Sequence, residues 1–195
     1  GEQYQLSGFP FRPFAEDVVC NWVWGYSFQR ERPILVPESA GYYGRPGDDL
    51  PFFFDCSNGC AVGSGIEEAI LHAILEVAER DAFLMTWYAA LPAPRIDLHT
   101  LPDRTIPLLV AALESATGYR IAIHDTTLEH GIPAVWTLAT AQHGGPRSIS
   151  GAGAHLSPVQ AITGALKELA IIIARVTAEY EEHAWRIPLM LTRPA

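Results

Sequence analysis

Apolar and polar positions along the chain follow two periods, one near 3.6 residues and one of 2. The longest helical run covers residues 66–88, inside the stretch SNGCAVGSGIEEAILHAILEVAERDAFLMTWY that begins at Ser57. It opens after Gly63, Ser64 and Gly65, carries Glu67 and Glu68 where the helix dipole favours anions, and has no internal Pro or Gly. A second long helix is predicted from Pro158, behind a Ser157 N-cap, to about residue 184. Residues 106–117 predict a shorter one, ended by Gly118. Strand-like runs cover 18–28, 34–37, 119–125, 132–141 and 147–150. The first reads as a buried strand ending at Gly25, with Trp22 and Trp24 packed on one face of it. Residues 41–51 and 151–155 read as loops, 91–98 as an extended proline-bounded segment, and Phe52, Phe53 and Phe54 as buried. The elements add up to an α+β fold with long helices packed on a mixed, largely antiparallel sheet.

The first long helix has an unusual polar face. At about 100° per residue, Glu68, His72, Glu76 and Glu79 fall within an arc of about 80°, with Arg80 about 40° further on. Ile66, Ile70, Ala73, Ile74, Val77 and Leu84 occupy the opposite side, and Leu71, Leu75 and Ala78 border the stripe on its other flank. Carboxylates aligned at i,i+3 and i,i+4 repel, and partial burial raises the cost of each. A hard cation such as Mg²⁺, which takes oxygen ligands, removes both penalties. Pairing with Arg80 or a neighbouring element does so too, and the spacing alone leaves both readings open. His72 fits either a partner of these acids or a hydrogen-bonded core residue.

On the second helix Glu168 sits among Ala161, Gly164, Ala165, Ile171 and Ile172, with Arg175 two turns on. An acid in such a patch is paired, protonated or metal-bound. A Glu168–Arg175 ion pair and a ligand role fit the pattern equally. The other histidines show no metal spacing, and no nucleophile elbow, Walker or dinucleotide-binding motif is present. The expectation is an acidic, cation-demanding cleft between two helices, without a nucleophile of its own.

Composition narrows the context. The 195 residues are 49% hydrophobic and 18% charged, enough for one domain or two small ones. A formal net charge of −9 argues against nucleic acid or an anionic membrane as partner, and no apolar run reaches spanning length. Cys20, Cys56 and Cys60 complete no zinc site and read as small core thiols in a reducing, cytoplasmic setting. The start GEQYQ and the end IPLMLTRPA read as cuts through a longer protein.

The stretch SNGCAVGSGIEEAILHAILEVAERDAF resembles the signature of YcaO-domain proteins. The likeness extends to NWVWGYSF, ILVP, LPAPRIDL, residues 118–125 and GAGAHLSPVQAITGALKELA, nearly the whole chain, and is strongest toward the azoline-forming branch of ribosomal-peptide biosynthesis. It implies one partial domain: strands and loops over 1–56, the first motif helix in 57–90, a helix and strands in 91–150 and the second motif helix in 151–195. It also implies ATP and Mg²⁺ as cofactors, with Glu76, Glu79, Glu168 and Glu68 as metal-binding acids. Arg80, His72, Ser57 and Asn58 would stand at the nucleotide. In that family a Cys, Ser or Thr of the substrate attacks the preceding carbonyl, the oxyanion takes a phosphoryl group from ATP, and phosphate leaves to give a thiazoline or oxazoline. Relatives using sulfide or an amine make thioamides or amidines. The implied partners are a ribosomal precursor peptide, a leader-binding protein and a second copy as homodimer. Two departures, Ile171 and Ile172 where relatives carry polar residues, open a further reading as a subunit that binds without turnover; the piece alone is expected to be inactive. A salt-bridged structural domain is the remaining alternative.

Overall fold

The computed structural model of the chain describes residues 5, 7, 9, 11, 13–16, 19–42 and 56–183. Contacts divide it into two units, residues 1–60 and 61–195, described here in turn. In the first, strands β1 (Trp22–Ser27) and β2 (Arg32–Pro37) form an antiparallel hairpin running from Trp22↔Pro37 to Ser27↔Arg32. Its turn places Glu31 at φ 49°. A single helical turn, α1 (Glu38–Gly41), follows and is fastened by the Glu38 N–H on the Asn21 carbonyl at 2.9 Å. Trp22, Trp24 and Tyr26 share one face of β1 and are exposed, which corrects the buried-strand expectation. A two-stranded ribbon carries no second layer of its own to cover that face. Cys56 and Cys60 are exposed too, flanking a turn rather than filling a core. Val18, residues 43–51, Phe52, Phe53, Phe54 and residue 184 lie outside the described residues.

The second unit contains helices α2 (Ile66–Tyr88), α3 (Thr105–Thr117) and α4 (Pro158–His183), and strands β3 (Tyr119–Asp125), β4 (Ala134–Ala141) and β5 (Ser148–Ala154). The strands form an antiparallel sheet in the order β3-β4-β5. The proline-bounded segment runs beside β3, with the Ile96 N–H on Ile123 O at 2.8 Å and the Asp125 N–H on Pro94 O at 2.9 Å. Every described ladder is antiparallel, so the architecture is α+β with long helices on an antiparallel sheet. α2 and β3 have the bounds that periodicity predicts. α3 ends where Gly118 adopts φ 74°, a conformation open to a residue without Cβ.

The loop expected at 151–155 is instead the second half of β5. Gly-Ala alternation lacks the branched side chains that mark strands, so the segment carries no strand signal in its composition. The glycines are there because α4 lies on them. A Cβ on Gly153 would sit 2.5 Å from the Ala161 carbonyl oxygen and 2.7 Å from the Ala165 nitrogen. One on Gly151 would sit 3.0 Å from the Leu169 nitrogen. On this face the core joins Ile121, Ile123, Val135 and Ile149 of the sheet to Ile106 and Val110 of α3 and Leu166, Leu169 and Ile173 of α4. Thr137, fully buried here, donates its hydroxyl to the Gly151 carbonyl at 3.0 Å.

α2 packs on the other face. Phe83 and Trp87 meet Trp136 edge-on at centroid distances of 5.9 and 6.3 Å, and Trp136 is the strand neighbour of Thr137, so its side chain emerges on the opposite side. The buried side of α2 is Leu75, Ala78, Ala82 and Thr86. Ile66, Ile74, Val77 and Leu84, on the side opposite the acidic stripe, are exposed. Apolar residues flank the acidic stripe on both sides, and small residues at 78 and 82 let the sheet approach one of those flanks. Among the described residues no helix is long and apolar enough to cross a membrane.

The close seating of α4 on β5 makes a direct prediction. Gly153→Ala should destabilise the protein by about 1–3 kcal/mol or more, as overpacking does. A fall in the urea midpoint with an unchanged m-value would measure it, and an unchanged midpoint would contradict the packing described.

Candidate functional site

Among the described residues β5 pairs only with β4, which leaves N–H groups on its outer edge outside any strand ladder. Buried or half-buried backbone donors require acceptors. Acids approach them from opposite faces of the sheet. Glu168 of α4 accepts the Ala152 N–H at 3.0 Å, and the Glu79 carboxyl of α2 lies near enough to the Ala154 N–H to be weakly stabilised by it. Glu76, about one helical turn back toward the N-terminus on the same side of α2, joins them. These three carboxylates line one pocket of about 250 Å³ with Ala152, Ala154, Gln160 and Gly164.

The acids differ in how they are held. Glu76 accepts from Arg80 Nε at 3.0 Å. Among the described residues Glu79 has no cationic partner in direct contact, and its carboxyl is pushed up to about 7. Burial is the main cause, followed by the negative charges of Glu168 and Glu76; Arg80 and the Ala154 N–H offset part of it. Arg175 pairs with Glu179 at 3.7 Å and not with Glu168, so the ion pair that the sequence allowed for Glu168 is replaced by the backbone bond.

The remainder of the stripe is held to the preceding loop. Glu68 Oε2 accepts both the backbone N–H and the hydroxyl of Ser64, each at 2.6 Å, which holds its carboxyl below the ordinary range. His72 is exposed, and its Nδ1 bonds the Val62 carbonyl at 2.8 Å. Gly63 fits beneath because a Cβ there would strike the backbone at Glu68 and Ala69. Together they lay residues 61–65 along the first turns of α2. The structure therefore splits the stripe: Glu68 and His72 fasten a loop, while Glu76 and Glu79 face the pocket. Ser57 and Asn58 belong to the N-terminal unit, in a turn closed by the Cys60 N–H on Ser57 O at 2.9 Å, with Gly59 at φ 79°.

Carboxylate oxygens are the donors a hard divalent cation takes, and Mg²⁺ needs only one or two of them beside water and phosphate oxygens. The pocket offers that donor type from two helices. Among the described residues no three acidic, His or Cys side chains converge closely enough to form a ready-made cage. Glu76 is engaged by Arg80 and Glu168 by the Ala152 amide, which directs their oxygens apart.

A family model described as "YcaO cyclodehydratase", ATP- and Mg²⁺-binding, matches residues 1–192. The chain belongs to the YcaO family. An uncharacterized protein of Methanothermobacter thermautotrophicus is 29% identical over 153 residues, 76% of this chain and 40% of that protein. A heterocyclase in complex with substrate and cofactor matches with a TM-score of 0.74 at 29% identity, over 82% of this chain and 21% of that one. YcaO from Methanopyrus kandleri, bound with AMPPCP and Mg²⁺, matches with a TM-score of 0.70 at 25% identity, over 89% of this chain and 46% of that one. The chain thus spans less than half the length of each of these YcaO and heterocyclase relatives.

Sequence reasoning missed Gln160, Gly164 and the edge amides of β5. The first two had a signal: Gln160, Gly164 and Glu168 recur at i, i+4 and i+8 on one line of α4. The amides had none once residues 151–155 were read as a loop.

The position of Glu79 gives a pH dependence of defined sign. Its folded pKa lies above the unfolded value, so its contribution to stability is complete below the ordinary carboxylate range and is lost as pH rises through about 7. Melting temperature without divalent cation should fall by a few degrees between pH 5.5 and 8. Glu79→Gln should flatten that slope. An equal slope in wild type and variant would show that Glu79 is not buried as described.

Proposed function

We propose that this chain is part of an ATP- and Mg²⁺-dependent cyclodehydratase. It would activate a backbone amide of a ribosomally made precursor peptide and close a Cys, Ser or Thr side chain onto it as an azoline. The observation that carries this reading is the meeting of Glu76, Glu79 and Glu168 from two helices at one pocket on a sheet edge. YcaO membership and the printed descriptions of the relatives support it. The absence of a nucleophile motif is consistent with it, since the substrate brings its own.

Glu79, Glu168 and Glu76 would hold Mg²⁺, Glu168 with one oxygen also fixed by the Ala152 amide. ATP, when bound, would supply the phosphoryl group that makes the amide oxygen a leaving group. Arg80 positions Glu76 through its Nε contact and offers its remaining donors to phosphate oxygens. Glu68, with its Oε2 engaged by Ser64 and outside the pocket of the other three acids, acts through the loop with His72, and Ser57 and Asn58 shape the nucleotide loop. Most of the catalytic contribution is positioning and charge neutralisation, as in phosphoryl transfer generally. The reading extends to a separate leader-binding protein and to a homodimer as partners.

Calorimetric titration of Mg·ATP into the full-length protein checks this. Glu79→Gln and Glu168→Gln should each weaken binding at least tenfold, a loss of about 1.4 kcal/mol or more. Glu68→Gln should change it less than twofold, and chelation of Mg²⁺ should abolish it. Precursor peptide should then elicit phosphate release. Unchanged affinity in both acid variants would reject the assignment.

A further inference from the structure

Gly164 lies six residues inside α4, which begins at Pro158, and it lines the acid pocket. The described protein gives no reason for a glycine there. No heavy atom lies within 4 Å of where its Cβ would be, and its φ is not in the left-handed region. The contrast with its neighbours is sharp. Gly151 and Gly153 are bare because α4 occupies the space of their side chains. Gly164 is bare toward the open pocket. A glycine in a helix interior weakens the helix relative to alanine, so the position carries a cost that packing does not explain. Close approach of a ligand to the backbone does explain such a glycine.

We infer that Gly164 is the ligand-facing clearance of the acid pocket, where the phosphates of bound Mg·ATP pass against bare α4 backbone between Glu168 and Gln160. This rests on the function proposed above. It adds that the width of the pocket, and so the seating of the triphosphate, is set by a side chain that is missing. A Cβ at 164 meets no atom of the described protein, so it would leave the fold intact while taking up space the phosphates need. The position would then trade stability of the empty protein against affinity for the loaded one.

Gly164→Ala and Gly164→Leu in the full-length protein test the trade. Both introduce better helix formers into open space, so the ligand-free alanine variant should melt about 1–3 °C higher than wild type. Mg·ATP affinity should fall about tenfold in Gly164→Ala and further in Gly164→Leu. A lower melting temperature in ligand-free Gly164→Ala would make the glycine structural and overturn the inference. So would unchanged affinity in both variants beside a wild type that binds, which would leave the proposed function standing. A wild type that fails to bind Mg·ATP would remove both.

Discussion

The free edge of β5 is the constraint on which the site depends. Strand edges present unpaired donors and acceptors that need covering. Here the Ala152 N–H is covered by the Glu168 carboxylate of α4, and the Glu79 carboxyl of α2 comes up beside the Ala154 N–H from the other face of the sheet. Glu168 is thereby fixed in direction by a rigid backbone amide, with oxygen valence left for the pocket. A single strand edge thus registers two helices that have no other reason to aim acids at one point. The same arrangement leaves Glu79 short of compensation: one amide and a distant Arg80 do not balance burial and two neighbouring anions.

The separation of the acids is set by how closely α4 lies on the sheet. Gly151 and Gly153 remove the side chains that would hold the helix away, and Ala161 and Ala165 meet them with the smallest side chains. Helix backbone then rests nearly on strand backbone, and Thr137 threads the contact with a hydroxyl bonded to the Gly151 carbonyl. Only at that distance can the Glu168 side chain reach round the edge to the Ala152 amide. The small-residue run GAGA is therefore a spacing device for the site as well as a strand.

Much of the fold was legible because strong periodicity survives without tertiary information. The bounds of α2 and β3 and the antiparallel succession of strands follow from spacing, Gly118 and the turn residues. What failed did so for identifiable reasons. GAGA carries neither branched residues nor hydrophobic alternation, so only the helix lying on it reveals it as a strand. α2 is apolar on both flanks of its stripe, and a wheel cannot say which flank meets the sheet; the choice fell to Ala78 and Ala82, which allow close approach. The stripe itself was legible as a group but not as two groups, because Ser64 and Val62, which claim Glu68 and His72, lie in a loop whose path no periodicity describes. Glu168 was legible as an anomaly, an acid among apolar neighbours, though its partner turned out to be a backbone amide instead of Arg175.

On the function proposed, the electrostatics also dictate the form in which nucleotide arrives. Among the described residues the pocket is lined by three carboxylates and by no Lys or Arg side chain. Arg80 stands behind Glu76 and is already engaged by it. Unit charges about 4 Å apart at an effective dielectric of about 20 interact with about 4 kcal/mol. A bare triphosphate would face that repulsion from more than one acid at once, with one engaged guanidinium to offset it. A P-loop solves the problem with backbone amides and a lysine; here the edge amides of β5 are spent on the acids themselves. The positive charge must then come with the ligand. Metal is in this site the bridge that makes nucleotide binding favourable at all, and the anions that look like an obstacle to a phosphate are what hold that bridge in place.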